Sequence, residues 1–249
     1  LNAELTRQFE QIANIQRSLL PQKTPDIPGL TIATAYLTSD RAGGDYYDFF
    51  PFPNGTWGIL IADVSGHGPA AATVMAMLRA ILHCYEGEDF SPARVMRYAN
   101  EKLAASNLDG SFVTAFFAVF DPEASTIAWA RCGHNPPLLK TPGAGVRELD
   151  GSGVPPLGVL PDLEPEEESI SLEPGQTLIL YTDGITESFN ERGEMFGVKG
   201  VIASLEYCDG QPECVVDSIY HALYTHTGSM ERDDDQTLVA LRRVDAGTP

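Results

Sequence analysis

The chain has 249 residues, 16 Lys+Arg against 35 Asp+Glu for a formal charge of −19, and 43% hydrophobic residues. That length holds one sizeable domain or two small ones with ample apolar content for a core, which excludes disorder as the main state. A body this acidic repels a polyanion, and its Lys and Arg are scattered singly, so no nucleic-acid partner is expected.

The longest apolar run, near residues 70–78, is broken by Arg79, well short of the roughly 18 to 20 residues that a membrane span requires. The amino end, residues 1–23, lacks a basic n-region and an A-x-A site, so it is not a secretory signal and reads as a linker or part of a longer chain. Within it Leu5, Ile12 and Leu19 recur at seven residues with Phe9 between them, a partial heptad that stops before Pro21. Such a helix either makes a short coiled-coil or docking contact, including a homodimer, or packs on the body of its own domain. Residues 21–29 are linker-like, punctuated by Pro21, Pro25, Pro28 and Gly29.

From Leu30 the pattern changes to short β-branched and aromatic runs, predicting strands at 30–36, 57–62, 112–120, 126–131, 177–181 and 237–242. Between them, amphipathic stretches predict a helix from Pro69 to before Gly87, a second from Ser91-Pro92 to about 108, and a third from Pro212 to Gly228. Clustered strands favour an α+β fold with an antiparallel or mixed sheet over a doubly wound one. The acidic stretch 162–168 is expected to be a solvated loop. Four cysteines, Cys84, Cys132, Cys208 and Cys214, have no C-x-x-C spacing, which argues against a zinc cage and a disulfide scaffold and for reduced thiols in the cytoplasm.

The aspartates carry the chemistry. They fall in turns or at predicted strand ends: G-G-D-Y-Y-D at 43–48, A-D-V-S-G-H-G at 62–68, Y-T-D-G at 181–184, R-D-D-D-Q-T at 232–237 and the weaker F-D-P at 120–122. A carboxylate at the exit of a buried strand is costly unless a cation or donors compensate it, and several together raise one another's pKa. A divalent ion removes that conflict, and oxygen-only ligands suit magnesium or manganese. Each motif alone is weak, since an Asp-Gly pair is usually a turn; the ordered set, with C-G-H-N-P-P at 132–137 between, is what discriminates.

That ordered set resembles the metal-dependent serine/threonine protein phosphatases with the phosphatase 2C-like fold, in the bacterial SpoIIE/RsbU branch, over nearly the whole chain. The resemblance implies a β-sandwich of two mainly antiparallel sheets flanked by helices, forming a catalytic domain over 24–245 after a signalling helix at 1–23 and before a tail at 246–249. It implies two divalent metal ions, Mn or Mg, bound by Asp45, Asp63, the carbonyl of Val64, Asp183 and Asp234, with the four aspartates as the catalytic set and Asp63 bridging. Asp48 either supports Asp45 or, as the preferred reading, is a capping carboxylate.

The implied reaction is hydrolysis of phosphoserine or phosphothreonine by a water activated between the two metals, without a phosphoenzyme. The implied partner is a phosphorylated regulatory protein such as an anti-sigma-factor antagonist, with an upstream sensor domain in control. Two features depart from the wider family. Asp40 stands where eukaryotic relatives place a phosphate-binding arginine, with Arg41 next to it, and His67 lies two residues beyond the family's histidine. His134 is expected to be a turn residue. Two other function classes compete: a phosphatase-like binding module without turnover, and a hydrolase of small phosphoesters.

Overall fold

A computed structural model of the chain describes residues 2–39, 42–106 and 108–245. In chain order the elements are α1 (Asn2–Leu19), β1 (Leu30–Leu37), β2 (Tyr46–Pro51), β3 (Trp57–Val64), α2 (Gly68–His83), α3 (Pro92–Ala104), β4 (Val113–Asp121), β5 (Thr126–Cys132), β6 (Leu138–Thr141), β7 (Gly145–Glu148), β8 (Glu168–Ser171), β9 (Thr177–Tyr181), α4 (Asp183–Thr186), α5 (Gly197–Ser204), α6 (Pro212–Thr227) and β10 (Gln236–Arg243). They make two five-stranded, mainly antiparallel sheets flanked by helices, the α+β class that the clustered strands predict. Each sheet belongs to one of two compact units.

The first unit comprises Leu1–Lys23, Asp40–His134 and Gly151–Ile170, with sheet order β2-β3-β4-β5-β8. Residues 58–62 of β3 are all buried, as their apolar run requires. Helix α2 lies on β3 and α3 on β4 and β5, and Met75, Leu78, Met96, Ala99 and Leu103 are fully buried. Both helices open with proline in the first turn, where the missing N–H removes no intrahelical bond.

Helix α1 packs on α2 within this unit: Ala13 clusters with Ala72, and the Arg79 Nε donates to the Leu19 carbonyl at 2.8 Å. Packing on its own body therefore uses the face through Ala13 and Gln16, while Phe9 and Ile15 stay 43% and 63% exposed. The side chain of Leu5 lies outside the described residues, as do Asp40, Arg41 and the tail at 246–249.

The stretch 162–167 is a loop whose acidic side chains are exposed, as expected. Leu163 is buried, Glu164 pairs with Arg97, and Glu167 Oε1 accepts the Ala93 N–H at 2.8 Å, capping the first turn of α3 from a distant segment. The run is solvated and also supplies an acceptor to one helix donor that has no intrahelical partner.

The second unit comprises Thr24–Ser39, Asn135–Asp150 and Ser171–Pro249, with sheet order β1-β10-β9-β6-β7, all pairs antiparallel. Helices α5 and α6 supply Val201, Val215, Ile219 and Leu223, and Leu205 at the end of α5 joins them, in a core with Ile179, Tyr181, Leu238 and Ala240 of the sheet. The predicted third helix matches α6, which ends at Gly228 with φ +68, a left-handed cap open to glycine at no steric cost.

Elements absent from the sequence-based prediction are β2, β6, β7, β8, α4 and α5. Four of these run only four residues, too short for a period to declare itself, and α5 carries Gly197 and Gly200, which lower its intrinsic helicity. The second helix ends at Ala104, short of the expected 108. Among the described residues no helix is long and apolar enough to cross a membrane.

Candidate functional site

In the first unit the motif G-G-D-Y-Y-D leads into β2 and A-D-V ends β3. Their antiparallel register pairs Tyr46 with Ala62. One step further the Val64 N–H donates to the Gly44 carbonyl at 3.3 Å, so the register places Asp45 directly across from Asp63. Residues opposite one another share a face of the sheet with Cβ atoms roughly 4.5–5.5 Å apart, which brings two carboxylates far separated in sequence to one strand end. Asp45 is 1% exposed and Asp63 half-buried.

Gly44 makes this approach possible. A Cβ there would lie 2.7 Å from the Val64 carbonyl oxygen and 3.3 Å from Val64 Cβ, so any larger residue would push the two strand ends apart. The loop is also held from α1: Gln16, buried, accepts the Gly43 N–H on Oε1 at 3.0 Å and donates its own amide to the Gly43 carbonyl. Reciprocal amide bonds of this kind satisfy two backbone groups two residues before Asp45.

Asp48 is neither a cap nor a partner of Asp45. It lies inside β2, where alternation turns it to the opposite face from Asp45. There it accepts from the Tyr46 hydroxyl, from His83 Nε2 of α2 at 2.8 Å and from the Phe49 N–H at 2.8 Å. Burial first and the Asp48 charge second push the Tyr46 phenol far above its ordinary pKa, so it stays a donor.

His134 also differs from expectation. It is buried, and its Nδ1 sits 2.9 Å from Thr114 Oγ1; Thr114 in turn lies opposite Asp63 on β4. The segment before it is fixed by Gly133, whose φ of +70 and 2.7 Å N–H bond to the Val154 carbonyl leave no room for a Cβ against the Pro156 ring. The sequence signal was the glycine pair with histidine in C-G-H-N-P-P; what it lacked was the strand pairing that sets this residue beside Thr114. His67 is exposed at the N-cap of α2.

In the second unit Asp183 opens α4 directly after β9, and Asp234 precedes β10, the neighbour of β9. The Thr182 N–H donates to the Thr237 carbonyl at 3.1 Å, and Thr237 N–H donates to Thr182 Oγ1 at 2.9 Å, locking the two strand ends together. A Cβ on Gly184 would fall 2.0 Å from the Asp235 carbonyl oxygen, so the Asp183-Gly184 turn lies against the Asp234-Asp235 backbone. Burial raises the Asp183 pKa above the ordinary carboxylate value, and the Glu187 charge adds to it.

The three consecutive aspartates separate cleanly. Asp235 is buried, with Oδ1 accepting from the Ser39 N–H at 2.8 Å and from its hydroxyl at 3.2 Å, a tie between the ends of β1 and β10. Asp234 and Asp233 are exposed, and Asp234 Oδ1 accepts the Asp235 N–H at 2.8 Å. The donor set in each unit is all oxygen, hard, and anionic. Together with the desolvated Asp183 and the strand ends that only glycine allows, it fits a hard divalent cation.

The family model described as Stage II sporulation protein E (SpoIIE) matches residues 53–244. Protein IcfG of Synechocystis is 26% identical over 95% of this chain and 41% of its own length. Phosphoserine phosphatase RsbU of Bacillus subtilis is 29% identical over 98% of this chain and 72% of its own length. The chain thus spans less than half of one of these curated relatives. Among solved structures, the SiaA-PP2C domain of Pseudomonas aeruginosa superposes with a TM-score of 0.83 at 23% identity, covering 97% of both chains. The match over more than half of the sequence, in a chain with the fold of a PP2C domain, places this protein in the SpoIIE family.

Proposed function

We propose that this chain is a metal-dependent serine/threonine phosphoprotein phosphatase, hydrolysing phosphoserine or phosphothreonine on a small regulatory protein such as an anti-sigma-factor antagonist. The observation that carries this reading is the opposition of Asp45 and Asp63 across β2 and β3, with no Cβ at Gly44 to crowd the Val64 carbonyl. We assign Asp45, Asp63 and the Val64 carbonyl, and in the second unit Asp183 and Asp234, as ligands of two divalent ions, Mn or Mg. When bound, such ions supply Lewis-acid polarisation of the phosphoryl group and of an attacking water.

The chain's own residues do the rest. Asp45 and Asp63 are held by the β2–β3 pairing and by the Gln16 clamp on Gly43, so their geometry is set before substrate arrives. Asp183 is partly desolvated, which strengthens its interaction with any cation placed beside it. Residues 24–245 form the catalytic domain, and 1–23 a signalling helix whose exposed Phe9 and Ile15 suit contact with a second copy or an upstream sensor domain.

The test is hydrolysis of an aryl phosphate and of a phosphoserine peptide with manganese, with magnesium and with chelator, beside Asp63→Asn. Metal-dependent turnover lost in the variant supports the reading. Metal binding without turnover on either substrate would leave a phosphatase-like binding module, and turnover on the aryl phosphate alone would favour a small-phosphoester hydrolase.

A further inference from the structure

Cys208 and Cys214 look unrelated in sequence, with five residues between them and no C-x-x-C pattern. The loop between α5 and α6 brings them together. The two sulfurs and a carboxylate oxygen of Asp209 all lie within 4.8 Å of one another, the one such group of three among the described residues. We propose that Cys208, Asp209 and Cys214 form a further metal site, for a soft divalent ion of the zinc class, distinct from the oxygen ligands assigned to catalysis.

The dimensions fit. Zinc–sulfur bonds of about 2.3 Å in a tetrahedron put two sulfurs about 3.8 Å apart, within reach of the present spacing after a small closure. The two sulfurs lie within 4.8 Å of one another, and Cys214 Sγ is 3.8 Å from Ser218 Oγ. The Gly210 N–H donates to Cys208 Sγ at 3.3 Å, the kind of outer bond that orients a ligand. Gly210 itself is pinned: its φ is +84, its carbonyl accepts from Thr177 Oγ1, and a Cβ would meet Arg242 at 2.8 Å. Asp209 Oδ1 accepts the Gln211 N–H at 2.9 Å, which sets the direction of the carboxylate and leaves its other oxygen for the metal. Cys214 stands in the first turn of α6.

Charge closes the argument. Two thiolates, one carboxylate and a divalent ion sum to −1; burial pushes the Cys208 thiol up to about 11, and the buried Lys140 ammonium, donating to the Leu205 carbonyl at 2.9 Å, offsets that in part. A disulfide would use the sulfurs and leave the oriented carboxylate without a purpose. Cys208 and Asp209 line a cleft together with Lys140 and Glu206.

The experiment uses the full chain in a non-thiol reductant, titrated with cobalt as a spectroscopic stand-in for zinc. A thiolate-to-cobalt charge-transfer band saturating at one equivalent and erased by zinc is expected. Asp63→Asn should keep the band, while Cys208→Ser and Cys214→Ser should each remove it. Asp209→Asn, at an exposed position that folding tolerates, should weaken cobalt by at least the roughly 10- to 100-fold seen when an outer-shell partner is lost. On the unaltered chain, zinc should slow alkylation of two thiols while exposed Cys84 reacts at its usual rate. No thiolate band, or a band that survives both serine variants, overturns the proposal. So does a reduced chain that binds no cobalt but closes a Cys208–Cys214 disulfide on oxidation by diamide. None of these readouts depends on phosphatase turnover, so the catalytic assignment stands or falls separately.

Discussion

Replacing Gly44 by alanine isolates the strand contact on which the catalytic assignment rests. The added methyl would sit 2.7 Å from the Val64 carbonyl oxygen, 3.3 Å from Val64 Cβ and 3.4 Å from Ala71 Cβ. Carbon–oxygen contacts settle near 3.3–3.6 Å, so the ends of β2 and β3 must part by roughly 0.6–0.9 Å. Gly44 is not among the positive-φ glycines, so the change acts through this contact and not through backbone strain. Overpacking of this kind costs about 1–3 kcal/mol of stability, and a displacement approaching 1 Å at reacting groups costs about 10²-fold in rate. The expectation is a fall in kcat of one to two orders of magnitude on an aryl phosphate at saturating manganese, read beside thermal denaturation. Gly55→Ala is the control: with φ +85 and nothing within 4 Å, it should lose about 1 kcal/mol by strain and keep its turnover. If Gly44→Ala turns over within twofold of the unaltered chain, the β2–β3 contact does not set the site and the reasoning fails.

Asp234→Asn should cut turnover by at least about two orders of magnitude, the range for losing a group that stabilises transition-state charge, whereas Asp233→Asn should be mild. Asp235→Ala should instead lose about 1–3 kcal/mol in urea denaturation, because the part-buried Ser39 N–H loses its acceptor; dead Asp235→Asn beside active Asp234→Asn would show the assignment off by one. Asp183 has a raised native pKa, so in metal-free protein its ionisation costs stability as pH rises through the ordinary carboxylate value toward the native one. Asp183→Asn should therefore raise the metal-free melting temperature at pH 7, give no gain at a pH below the ordinary carboxylate value, and shrink the upward shift that manganese produces. Asp48→Ala should lower the melting temperature by leaving the Tyr46 hydroxyl without its acceptor, a cost of about 1–3 kcal/mol, and an unchanged melting curve would refute the role given to that network. Truncation to begin at Pro21 should both destabilise the chain, through loss of the Gln16 bonds and the Ala13 contact, and change its mass by light scattering if α1 joins two copies; identical monomeric masses would refute the dimer.

The amino-acid sequence by itself determined the elements whose pattern is local: α2, α3 and α6, each opened by proline with an apolar face at helical spacing, and β3 and β9, whose unbroken apolar runs have no other way to be buried. The ordered aspartate motifs were equally local, because a turn glycine and its carboxylate are chain neighbours. Everything that depended on register was decided only by the tertiary structure. Strand β2 stayed hidden because Asp48 sits among its aromatics, and its burial is compensated by the Tyr46 hydroxyl and Phe49 N–H beside it together with His83, 35 residues away. The facing of Asp45 and Asp63, the place of His134 beside Thr114, and the separation of Asp234 from the buried Asp235 all follow from which strand lies next to which. Cys208 and Cys214 meet instead through the short loop between α5 and α6, at a spacing that is not C-x-x-C. Sequence fixes what each segment prefers within one or two turns of itself; pairing between distant segments is chosen by the burial of whole faces, and that choice exists only in the folded chain.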